Sequence, residues 1–101
     1  MSKFDLIIRG GTVATASDTF KTDVGVRAGK IVALGHDLGK AERTIEAEGQ
    51  LVLPGGIEAH CHIEQESSTR IMTADDFFSG SVSAAFGGNT TFIPFAAQHR
   101  L

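Results

Sequence analysis

Pro54-Gly55-Gly56-Ile57-Glu58-Ala59-His60-Cys61-His62-Ile63 is the stretch on which the reading of this chain turns. Pro-Gly-Gly is a strong break in regular structure, and Gly56 to Ile63 then reads as a strand. Side chains alternate across a strand, so the imidazoles of His60 and His62 project from one face and Cys61 from the other. Two histidines placed this way can reach one divalent ion at about 2.0–2.1 Å. His-x-His is common by chance. It carries weight here because a Pro-Gly-Gly turn precedes the strand, the pair sits at the strand's end, and a helix start follows.

Downstream of the pair comes a polar loop, Glu64 to Met72. Thr73-Ala74-Asp75-Asp76 predicts a helix start, with Thr73 as N-cap and an acid three residues on. Asp75 and Asp76 would then lie in the first turn, against the positive end of the helix dipole, and are read as serving it rather than as a catalytic carboxylate pair. Phe77, Val82, Ala84, Ala85 and Phe86 supply apolar positions, Gly87-Gly88 the stop, and Thr90 to Phe95 a further strand. Strand, loop, helix, strand is a βαβ unit with parallel strands. It is also the opening unit of a (β/α)8 barrel, which needs eight such units and typically about 250 residues. In such a barrel the C-terminal strand ends face the active-site mouth, which is where the two histidines fall.

Upstream of Pro54 the chain is β-rich, with no convincing helix. Phe4 to Arg9 is an apolar run that Gly10-Gly11 should end, with Thr12 to Thr15 as a second strand. Asp23 to Arg27 and Lys30 to Leu34 flank Ala28-Gly29, a hairpin signal. Thr44 to Ala47 and Gln50 to Leu53 complete five or six short strands, a pattern suited to a small β-sandwich or folded sheet.

The composition is that of an ordinary globular chain: 101 residues, 42% hydrophobic, 21% charged, with a formal net charge of −3. No Lys/Arg cluster appears, so a nucleic-acid partner is not expected. No stretch approaches the roughly 20 apolar residues of a membrane span. Met1 to Asp5 carries an acid almost at once and lacks a signal-peptide core, and the single cysteine suits a reducing compartment, so a cytoplasmic location is expected.

The run Pro54 to His62 resembles the first-strand signature of the amidohydrolase superfamily. Thr73, Asp75-Asp76-Phe77, Gly80, Ala84-Ala85, Gly87-Gly88, Thr90-Thr91, Ile93 and Phe95 resemble its hydantoinase/dihydropyrimidinase branch, as does the opening Asp5 to Gly11. The resemblance covers nearly the whole chain. It implies a metal-bearing (β/α)8 barrel beside a small β-domain built from both chain ends. Residues 1–54 would be the N-terminal share of that sandwich-like domain, and 55–101 the start of the barrel.

The implied activity is hydrolysis of a cyclic amide, with two divalent ions, usually zinc, that lower the pKa of bound water and polarise the carbonyl. His60 and His62 would hold the more buried ion. The family's other ligands, a carboxylated lysine, two more histidines and an aspartate, come from later strands and have no counterpart in these 101 residues, so turnover by this polypeptide alone is not expected. The small-molecule substrate would be a neutral ring such as hydantoin or dihydropyrimidine. Dihydroorotases carry an arginine two residues after the second histidine to pair the substrate carboxylate, whereas this chain has Glu64, which would repel it. The loop Glu64 to Met72 is the suspected substrate-binding segment, although it departs from the Pro-Phe-Gly-Gly-like core common in the family. Pro94 departs too, standing where many relatives have aspartate. By resemblance the whole protein would be a homo-oligomer, commonly a tetramer. A non-catalytic relative serving as a structural or interaction protein is the alternative, and retention of both histidines argues against it.

The remaining candidates read as structural. Cys61, facing away from the histidines, is a small buried residue rather than a nucleophile. His36 is a solvated turn residue, and His99 has no assigned role. The phenylalanines, without Trp or Tyr, read as core rather than as a stacking platform. A self-standing β-rich binding module is disfavoured because an incomplete parallel sheet leaves edges that associate. Residues beyond about 55 are therefore expected to be partly disordered or oligomeric when the chain is alone.

Overall fold

The computed structural model describes residues 3–98. They form seven strands and one helix, and the chain divides into two compact units, Met1–Pro54 and Gly55–Leu101.

In the first unit, β1 (Phe4–Ala14), β2 (Thr19–Arg27), β3 (Lys30–Gly35), β4 (Ala41–Glu46) and β5 (Leu51–Val52) build one mixed five-stranded sheet. The order is β3-β2-β1-β4, with β5 also beside β1. β1 is antiparallel to β2, but parallel to β4 along Phe4 to Arg9 and to β5 at Thr12 and Val13. The two expected strands at Phe4–Arg9 and Thr12–Thr15 are therefore one. Gly10-Gly11 does not end the strand but bulges it, the register with β2 shifting between Ile8 and Gly11.

The bulge needs glycine twice. Gly10 has φ +71, and its N–H donates to Asp23 Oδ1 at 2.9 Å. A Cβ at Gly11 would lie 2.5 Å from Val52 Cγ2. At this kink the neighbour on the far side of β1 changes from β4 to β5. The Ala47 N–H donates to Arg9 O at 2.8 Å and the Thr12 N–H to Gln50 O at 2.9 Å, so the ladder continues across the change.

The hairpin between β2 and β3 forms as its sequence predicts. Ala28 and Gly29 both take positive φ, 50 and 72, as a two-residue type I′ turn requires. The core of this unit is small: Phe4, Ile7, Val13, Val24 and Ala47 are buried, with Phe4 and Ile7 completely enclosed. Gly25 is buried beneath the Phe4 ring, where an added Cβ would stand 2.7 Å from Phe4 Cε1.

In the second unit, β6 (Gly56–Cys61) and β7 (Asn89–Pro94) pair in parallel, and α1 (Phe77–Phe86) connects them and packs against β7. The Pro-Gly-Gly break has a packing reason. Cβ atoms at Gly55 and Gly56 would fall 2.0 Å from Thr90 Oγ1 and 2.3 Å from Asn89 Oδ1, so only glycine lets the start of β6 lie against the start of β7.

The helix starts later than its sequence suggests. Asp76, not Thr73, is the N-cap: its side chain accepts from the Ser79 N–H at 2.8 Å, while Ser79 Oγ accepts from the Asp76 N–H at 3.1 Å. No acid lies in the first turn, so Asp75 and Asp76 are not placed there for the dipole. Thr73 is engaged elsewhere, its hydroxyl accepting from the Gln65 N–H at 3.1 Å. That bond ties Thr73 to the preceding loop and leaves the next suitable oxygen to cap the helix. The helix ends as expected at Gly87, with Gly88 at φ +86. Gly80, the helix's buried residue, faces Ile63, whose Cγ2 would lie 3.2 Å from an added Cβ.

Candidate functional site

β6 carries His60 on its last turn of the pleat, and His62 follows just beyond its end at Cys61. The rings lie together, with centroids 5.6 Å apart and planes at 69°. Cys61 between them is half-buried, whereas both histidines are exposed, as alternation across an extended segment requires. The thiol is thus less enclosed than its sequence reading suggests.

Both rings rest on Phe95, which follows the end of β7. His62 stacks on it face to face at 4.6 Å and 5°, and His60 meets it edge-on at 4.7 Å and 64°. The Phe95 N–H donates to Cys61 O at 3.0 Å, extending the β6–β7 ladder by one bond and holding the aromatic ring under the pair. Phe95 is the site residue the sequence reading missed. Read as core, it is 47% exposed and supports two imidazoles. Its contact with the pair comes from the parallel register of β7 on β6, which no local sequence signal gives.

The segment after His62 folds back toward the histidine. Glu64 takes φ +50, its N–H donates to Asp75 O at 3.0 Å, and its carboxylate accepts from the Phe77 N–H at 3.0 Å. Glu64 thus fastens the loop to the first turn of α1, a role outside the substrate argument made from sequence. The loop closes through a bridge between Glu66 and Met72 and a tight turn in which Ser67 N–H donates to Ile71 O at 2.9 Å. His62, Gln65, Glu66, Ser67, Ser68 and Thr73 line an open cavity of about 320 Å³. His62 and part of the suspected loop Glu64 to Met72 therefore share one concavity. At the loop's exit, Asp76 has its carboxyl held below the ordinary 3.8, chiefly by the Ser79 backbone N–H it accepts from.

Two rings bound to one tetrahedral ion through nitrogens at about 2.0–2.1 Å would have centroids about 5 Å apart. The separation of 5.6 Å is close to this, and imidazole is a borderline donor suited to zinc and its neighbours. The pair therefore fits as part of a metal shell. Among the described residues no group of three or more His, Cys, Asp and Glu side chains could hold an ion, so the pair by itself would be only part of a shell. His36 is exposed beyond β3, as expected, and His99 lies outside the described residues. No helix among those residues is long and apolar enough to cross a membrane.

The described residues thus make a β-rich chain in which an apolar strand ending in paired histidines is joined through a capped helix to a parallel neighbour. No family model matches the chain. It is 46% identical over 96 residues to a D-hydantoinase of Ralstonia pickettii, a match covering 95% of this chain and 21% of that protein. It is 41% identical over 90 residues to an allantoinase of Escherichia coli, covering 89% and 19% respectively. A solved D-hydantoinase structure superposes with a TM-score of 0.90 at 45% identity, over 96% of this chain and 21% of that one. Dihydropyrimidinases are also among the matching structures. Over nearly its whole length the chain is similar to proteins of the hydantoinase/dihydropyrimidinase type, and it spans about a fifth of the length of the relatives it matches.

Proposed function

We propose that the whole protein hydrolyses the ring amide of a neutral cyclic substrate, of the hydantoin or dihydropyrimidine class, and that His60 and His62 are two of its metal ligands. The observation that carries this reading is the pair itself: adjacent imidazoles at the C-terminal end of a strand, braced by Phe95, beside a cavity lined by the following loop. In this reading residues 1–54 are one share of a composite β-domain, and β6, α1 and β7 open a (β/α)8 barrel whose later strands bring the remaining ligands. Two divalent ions, zinc by preference, would supply Lewis acidity and an activated water at neutral pH.

The chain's own part is to position. His60 and His62 donate imidazole nitrogens from one side of β6. Phe95 excludes water from beneath them, and the loop from Glu64 to Met72 shapes one wall for the substrate. Glu64 stands where an arginine would pair a substrate carboxylate, and its own carboxylate is engaged at the start of α1, so that no cation is offered there and a neutral ring is favoured. With its further ligands elsewhere, this chain by itself is inactive.

The test is ring opening by the full-length protein, assayed with hydantoin, dihydrouracil and allantoin before and after chelation. Loss of activity on chelation, restored by zinc or another divalent ion, is expected. Ring opening that ignores the chelator would overturn the metal reading, and inactivity on all three rings with metal bound would overturn the substrate class.

A further inference from the structure

His62 is held in its ring plane as well as on its face. Its Nδ1 lies 2.6 Å from Gln65 Oε1, while Phe95 stacks beneath the ring. Gln65 is itself fixed by both ends of its backbone. Its N–H donates to Thr73 Oγ1 at 3.1 Å and its carbonyl accepts from the Thr73 N–H at 3.0 Å, so the two ends of the loop clamp the residue that reaches the histidine. The positive φ of Glu64 turns the chain so that Gln65, three residues after His62, can come back to its ring.

A neutral imidazole carries one proton, and the partner on one nitrogen decides where it sits. An amide oxygen is an acceptor only. Facing Nδ1, it requires the proton there and leaves the Nε2 lone pair free. We propose that Gln65 is a positioning residue that holds His62 as the Nδ1–H tautomer and presents Nε2 to the metal. This rests on the reading of His62 as a ligand. An acceptor behind a ligating imidazole fixes the ring's orientation and raises its basicity, and removing such a partner typically weakens metal affinity by about 10–100-fold. Among the described residues the ring of His60 has no comparable side-chain partner, so it serves as an internal control.

The experiment compares the full-length protein with Gln65→Leu and Gln65→Glu. Imidazole nitrogen shifts of the metal-free proteins report the tautomers, and titration with zinc reports affinity. In the wild type His62 should be Nδ1–H. Gln65→Leu should release it toward the Nε2–H form, leave His60 unchanged, and weaken zinc binding by about 10–100-fold. Gln65→Glu, which keeps an acceptor oxygen, should retain both the tautomer and tight binding. An Nε2–H His62 in the wild type would overturn the proposal, as would a Gln65→Leu protein with unchanged zinc affinity. A His62→Ala control separates the two claims. If zinc binding survives that change, the ligand reading fails. If it is lost while Gln65→Leu alters neither tautomer nor affinity, only the role of Gln65 fails.

Discussion

Gly25 and Phe4 illustrate how single residues set the first unit. The Phe4 ring is almost completely enclosed and lies where the Cβ of any other residue at position 25 would project. Gly25→Ala should therefore destabilise the protein by about 1–3 kcal/mol through overpacking, and Phe4→Ala by about 3–5 kcal/mol through cavity formation. Denaturant unfolding of the two variants checks both. A neutral Gly25→Ala would mean that the ring moves freely. Asp23 plays a different part, its buried side chain satisfying the N–H of Gly10 at the bulge. Asp23→Ala should cost about 1–3 kcal/mol, because it orphans a part-buried donor, and amide exchange at Gly10 should quicken. What was legible at this scale was the pairing: alternation along the strand after Pro-Gly-Gly predicts His60 and His62 on one face, and their rings do lie together. Phe95 was not legible, because its contact with them depends on the parallel register of β7 on β6, which no local pattern encodes.

At the level of elements, strands were easier to read than their boundaries. The Ala28-Gly29 hairpin and the strand after Pro54 follow from turn chemistry and β-branched runs. The merging of two expected strands into β1 does not, because Gly10-Gly11 serves equally as a terminator or a bulge until a partner such as Asp23 selects between them. Nor does the sequence show that β4 and β5 flank successive halves of the same strand, a pairing set by long-range contacts. The start of α1 failed for a related reason: Thr73 and Asp76 are both good caps, and the Gln65–Thr73 bonds decided between them.

The cap gives the element a pH response. With the Asp76 carboxyl held below its ordinary value, the charged side chain contributes stability that is present above 3.8 and is lost as pH falls through the lowered folded-state value. Protection of the Ser79 amide should decline on acidification through that range. Asp76→Asn should remove the acid dependence while leaving the cap acceptor in place, and a wild-type amide whose protection is flat through the same range would contradict the assignment.

For the molecule as a whole, each unit leaves apolar side chains in the open. Ile31, Leu51 and Leu53 in the first, and Ile57, Phe78, Phe86 and Ile93 in the second, are all more than half exposed. That is more than a small self-contained domain normally leaves uncovered, and β6–β7 is a two-stranded parallel ribbon, which is marginal unless further strands cover it. The 101-residue chain alone should therefore self-associate or lose protection after about residue 55. Sedimentation together with hydrogen exchange reads this directly, and slow exchange across residues 56–95 in a monomer would contradict it.

The central claim is that one divalent ion is shared by two imidazoles at the end of β6. The direct measurement is zinc affinity and retained zinc in the full-length protein, set against His60→Ala and His62→Ala. Either substitution should lower the affinity steeply and empty one ion from the protein, with the fold otherwise intact by circular dichroism. Full zinc content at unchanged affinity in both variants would contradict the account.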